Sequence, residues 1–189
     1  MFASWSRDRA EQVRRAHAVL DQLGPEDRLI IDVRPNGGGD ELLAREIAGR
    51  FVDRPVVYAK NRNRDASLPG GFTPVHERRL KPSGKGAAFK GKIAVLMGPV
   101  NMSSCEAFLL MMRQVPGCKL IGTRSYGSSG NPQPVELANG VTVYLPSWQA
   151  MDAEGNLIEG KGIEPDIQVA WKPGGGDPVI EAALRYLAQ

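Results

Sequence analysis

A serine that follows an apolar strand and opens an apolar helical run is placed for nucleophilic chemistry. Ser103, in Ser103-Ser104-Cys105-Glu106, is such a residue. The strand before it reads Ile93-Ala94-Val95-Leu96-Met97. The run after it, Ala107-Phe108-Leu109-Leu110-Met111-Met112, is too apolar for a surface helix. A serine at this junction sits among backbone N–H groups without intrahelical partners, at the positive end of the helix dipole. Those groups can hold the oxyanion that forms when a hydroxyl attacks a carbonyl. The same spacing admits a capping box, with Ser103 at the N-cap and Glu106 three residues on. The short run alone leaves both readings open.

A second loop with chemical potential is Arg34-Pro35-Asn36-Gly37-Gly38-Gly39, which joins the apolar stretch Leu29-Ile30-Ile31-Asp32-Val33 to a helix capped by Asp40. Strand-to-helix loops of this kind present N–H groups to anions. The spacing is not that of a dinucleotide loop, and no Lys-Ser/Thr pair follows as in a P-loop. The remaining readings are an oxyanion hole built on a glycine N–H and a plain tight turn. His17 lies beside the apolar stripe of an early helix, and His76 lies in a polar segment. His17 reads as a packed or surface residue, and neither histidine matches a catalytic base.

Composition bounds the function. The chain has 189 residues, 42% hydrophobic and 24% charged, which fits one globular domain, residues 1–189, with a real core. A net charge of +3 is too small to argue for nucleic acid. The lysines at 81, 85, 90 and 92 and the arginines at 7, 9, 14 and 15 have no interleaved aromatics and read as solvated surface. Cys105 and Cys118 have no metal-site spacing and make no disulfide framework. No apolar run approaches the roughly 20 residues of a membrane span, and the first residues lack the apolar core of a signal peptide.

The elements that position these loops follow from periodicity. Phe2-Ala3-Ser4-Trp5 is extended. A helix carries Val13, Ala16, Leu20 and Leu23 on one face and ends at Gly24-Pro25. A helix with Leu43, Ile47 and Phe51 inward follows Asp40, and Pro55–Ala59 is a second strand. Residues 60–90 read as a long polar loop. Strand 93–97 and the Ser103 helix follow, then a strand at 119–122 and the loop Gly127-Ser128-Ser129-Gly130. A hairpin turns at Asn139-Gly140. A short strand at 167–169, a linker at 172–176 and a final helix from Asp177-Pro178 complete the chain. Alternating strands and helices predict an α/β core with a largely parallel sheet, plus one antiparallel hairpin and a terminal helix.

Four pieces in order resemble the C-terminal processing (tail-specific) serine protease family. They are Leu29–Gly39, Ser103–Glu106, Gly122-Thr123-Arg124-Ser125-Tyr126-Gly127 and Gly160-Lys161-Gly162-Ile163-Glu164-Pro165-Asp166. The resemblance implies a ClpP/crotonase-like fold and a serine endopeptidase acting on polypeptides, without cofactor or metal. It implies Ser103 as nucleophile and the N–H groups of Ser104 and of Gly38 or Gly39 as the oxyanion hole. It also suggests a bacterial envelope or secreted setting. In the tail-specific branch a lysine base follows the G-x-x-T-x-G motif, but here that position is Ser128. The pattern is closer to the tricorn-core and retinoid-binding-protein-like branch, where an upstream histidine is the base and a glutamate, here Glu159, orients it. Ser128 is a possible support for Glu159. The resemblance therefore implies an upstream domain that supplies the base, with this chain as a fragment lacking a PDZ domain. The alternative is a non-catalytic relative that binds peptides or apolar ligands in the same cleft.

Overall fold

The computed structural model describes residues 1–6, 10–24, 26–84, 88–170 and 174–189. Arg7, Arg9, Pro25, Lys85 and the start of the 172–176 linker lie outside the described residues.

The centre is a four-stranded parallel sheet of order β1-β4-β5-β9, with β1 Leu29–Asp32, β4 Ile93–Met97, β5 Cys118–Gly122 and β9 Ile167–Gln168. Every residue of β4 is buried, as a central parallel strand covered on both faces requires. On one face pack α2 (Glu41–Ala48) and α3 (Ser104–Arg113), in the cluster that holds Trp5, Ile47, Phe51, Phe108 and Leu109. The other face is covered by α4 (Pro178–Ala188), through Val179, Ala182, Ala183 and Leu187 against Ala94, Leu96 and Ile121. Residues 104–112 of α3 are all buried, which explains a helix with almost no polar face. Asp177 caps α4 through the amides of Val179 and Ile180, ahead of a proline at the first turn. Helix α1 (Ala10–Leu20) packs against α2.

Two expectations need correction. The strand near 55–59 does not join the parallel sheet. It is β2 (Val56–Asn63), the middle of an antiparallel sheet of order β3-β2-β8, with β3 at His76–Leu80 and β8 at Trp148–Asp152. The 60–90 segment is therefore partly strand, and His76 lies on β3. Polar strands such as Lys60-Asn61-Arg62-Asn63 and His76-Glu77-Arg78-Arg79 carry little apolar alternation, which is the signal that periodicity reads. The predicted hairpin is present as β6 (Pro132–Glu136) paired with β7 (Thr142–Pro146).

The loops after β1, β4 and β5 all leave the carboxyl edge of the parallel sheet, where open α/β sheets bind ligands.

Candidate active site

Ser103 stands between β4 and α3 with φ 56° and ψ −128°, a left-handed conformation that non-glycine residues rarely adopt. The Cys105 amide donates to the Met102 carbonyl at 3.0 Å, closing a tight turn around Ser103 and Ser104. Strained serines at sharp strand-to-helix turns expose their hydroxyl above a sheet edge. The capping box does not form: the Ser103 side chain makes no cap hydrogen bond. Glu106 is instead fully buried and turned toward the loop after β5. It accepts from the Ser125 and Ser129 hydroxyls at 2.5 and 2.7 Å and from the Gly127 and Ser128 amides at 2.7 and 3.1 Å. Four donors offset the cost of burying a carboxylate. The loop so held presents the Ser128 carbonyl, which accepts from the Ser103 amide at 2.7 Å.

The glycine loop comes to the serine turn through Asn101. This buried side chain donates to the carbonyls of Val33 and Asn36 at 2.6 and 3.1 Å and accepts from the Gly98 amide at 2.8 Å. Gly38 has φ 108°, and a Cβ there would lie 2.9 Å from the Ser103 Cβ and 3.2 Å from the Ser104 amide nitrogen. Only glycine fits such an approach. The Gly38 N–H donates to Asn36 Oδ1 at 2.8 Å. The segment is anchored on its far side by Trp5, whose amide donates to Gly38 O and whose carbonyl accepts from the Asp40 amide. Gly39 turns its carbonyl toward the Ser104 hydroxyl, which donates to it. The N–H groups of Gly39 and Ser104 have no hydrogen-bond partner among the described residues.

The 122–127 and 160–166 motifs meet. Ser125 N donates to Ile163 O, Ile163 N donates to Ser125 Oγ, and Gly160 N donates to Gly127 O. This contact brings Glu159 to the loop behind Ser103, where its Oε2 accepts from the Ser129 amide at 2.9 Å. The partner is Ser129 and not Ser128. Ser128 contacts Ser103 and Glu106 through its backbone.

A cavity of about 280 Å³ opens beside Ser103, lined among others by Gly39, Glu41, Arg78, Ser104, Ala107 and Trp148. Neither histidine lines it. His17 Nδ1 lies 3.1 Å from an Arg50 nitrogen, and His76 is exposed on β3. Cys105 and Cys118 are held as thiols by burial, which pushes both well above their ordinary pKa. Among the described residues no group of three or more His, Cys, Asp or Glu side chains could hold a metal, and no helix is long and apolar enough to cross a membrane. Sequence reading missed Asn101 and the role of Glu106. Asn101 carried no motif, and the spacing of Glu106 to Ser103 matched a more common structure.

The arrangement brings a hydroxyl and two backbone donors to one cleft, with the Glu159 carboxylate bonded to Ser129 of its wall. The sequence pattern of peptidase family S41 matches residues 2–169. The chain belongs to peptidase family S41. Among curated family relatives, the carboxy-terminal processing protease CtpB of Bacillus subtilis is 25% identical over 168 residues, covering 89% of this chain and 33% of that protein. The tricorn protease of Thermoplasma acidophilum is 25% identical over 167 residues, covering 85% of this chain and 14% of that protein. Both branches named from sequence thus match with the same identity. In structure, a Parabacteroides merdae protein assigned as a peptidase superposes with a TM-score of 0.79 at 31% identity, over 86% of this chain and 52% of that one. The chain spans about a third of the length of CtpB and about half of the Parabacteroides structure.

Proposed function

We propose that this chain is the catalytic core domain of a serine endopeptidase, residues 1–189, with a ClpP/crotonase-like fold. Ser103 Oγ attacks the carbonyl carbon of a polypeptide and gives its proton to a base. The oxyanion takes hydrogen bonds from Ser104 N–H and from the glycine loop, with Gly39 the available donor and Gly38 the residue that allows the close approach. The C–N bond breaks, the leaving amine takes the proton, and water hydrolyses the acyl-enzyme by the same steps in reverse order. A carboxylate alone is a poor base for serine, so Glu159 acts as the orienter of a histidine carried by a segment upstream of this core. No cofactor enters the reaction.

The single observation that carries this reading is the strained, left-handed Ser103 at the start of a helix, packed against Gly38, where no side chain fits. A second reading, a non-catalytic relative that binds peptides in the same cleft, is favoured by the positions of His17 and His76 away from the cavity. Hydrolysis of an unfolded protein substrate separates the two. Turnover by the full-length protein that Ser103→Ala abolishes supports the peptidase. A full-length protein that binds but never cleaves supports the second reading.

A further inference from the structure

The cavity beside Ser103 has a charged wall that hydrolysis itself does not require. Glu41 of α2 and Arg78 of β3 both line it. The Glu41 carboxylate is occupied at both oxygens, by the Tyr58 hydroxyl on Oε1 and by Arg78 on Oε2. Arg78 is not matched in the same way. A guanidinium carries five N–H donors, and the bond to Glu41 is the one hydrogen bond its side chain makes among the described residues. Its plane is held by aromatic faces, 5.3 Å from the Tyr58 ring centroid and 5.0 Å from that of Trp148. The side chain is 15% exposed. Burial lowers its pKa to about 10, as for a cation whose lost hydration is incompletely replaced. Asp40, the other acid of the wall, accepts from the Leu42 amide as the cap of α2. The rest of the lining includes Ala107, Leu110, Met151 and Ile158. A volume of about 280 Å³ suits one side chain rather than a larger ligand.

We propose that this cavity is a specificity pocket for a substrate carboxylate, held by the unused donors of Arg78, with the apolar wall taking the carbon stem that carries it. The inference rests on the peptidase reading only for the occupant being a peptide. The carboxylate can come from an acidic side chain or from the C-terminus of the substrate. Glu41 competes for Arg78, so it sets the affinity.

Binding tests this without turnover, by calorimetry on the Ser103→Ala chain with short acetylated peptides. One set is amidated and carries a central glutamate, glutamine or lysine. The other compares a free C-terminal acid with its amide on the glutamine peptide. The glutamate peptide, or the free acid, should bind about 10-fold more tightly than its neutral partner. The arm that shows the preference identifies the source. Arg78→Met should erase the preference, and Arg78→Lys should reduce it while keeping the charge. Glu41→Gln should strengthen it, and this gain does not depend on how well the arginine variants fold. Equal binding of charged and neutral peptides, preference for lysine, or no measurable binding of any peptide would overturn the pocket. Fluorophosphonate labelling of Ser103 in the full-length protein reports on the peptidase reading separately.

Discussion

The Ser103 amide donates to the Ser128 carbonyl at 2.7 Å, so the strained turn is tied to the loop that Glu106 holds from below. The turn, the loop and the first turn of α3 form one unit. Substitutions in it should separate stability from chemistry.

Ser103→Gly should stabilise the fold while removing the hydroxyl. A left-handed non-glycine residue costs about 1–3 kcal/mol, part of which glycine gives back through its looser unfolded chain. A net gain of about 1 kcal/mol should raise Tm by roughly 2–4 °C in a domain of this size. Calorimetry checks this, and a lowered Tm would mean that the turn is not strained.

Glu106→Ala should be among the most damaging single substitutions. It leaves two hydroxyls and two amides of the 125–129 loop without their acceptor. Breaking such a buried charged network costs about 3–5 kcal/mol. Urea unfolding should show the loss, and hydrogen exchange should show faster exchange at Gly127 and Ser128.

The parallel core was legible because its strands are short apolar runs and its loops carry glycine at forced positions. Gly38 is the case in point: the loop alone left a tight turn and an oxyanion hole open, the family resemblance pointed to the hole, and the structure packs Gly38 against Ser103. The antiparallel sheet was legible only at the apolar start of β2, because the rest of β2 and β3 are polar and are stabilised by pairing with each other and with β8. Glu106 was misread because a serine-to-glutamate spacing of three looks the same for a cap and for a buried anchor. Asn101 was invisible because its role is set by β1, a strand distant in sequence.

Arg34 should make acid stability depend on α4. It bonds Asp32 and, at 2.7 Å, Asp177, the cap of α4. Burial raises the Asp177 carboxyl, but the Arg34 bond, the Ile180 and Val179 amides and the charge of Arg34 outweigh it and hold it below its ordinary value. A depressed carboxyl adds stability above its unfolded pKa of about 3.9, and that stability is lost as pH falls through the folded value. As pH falls below about 4, therefore, the parent should lose more stability than Arg34→Met. Equal slopes in acid unfolding would exclude the pair as a source of pH dependence.

His76 should be dispensable for labelling and for cleavage. It shares a face of β3 with Arg78, two residues on, but it does not line the cavity. The full-length His76→Ala protein should keep the parent's rate within about twofold, which is below 1 kcal/mol in barrier. A loss of 100-fold or more would place the base inside this chain.

The central claim is that Ser103 is the nucleophile, and covalent trapping tests it most directly. The full-length protein is treated with a fluorophosphonate and digested, and the adduct is located by mass spectrometry. One modified serine, Ser103, is expected at neutral pH, with no adduct in Ser103→Ala and a strongly reduced one in Glu159→Ala. An adduct on a different serine, or an unmodified Ser103 in a protein that cleaves its substrate, would contradict it.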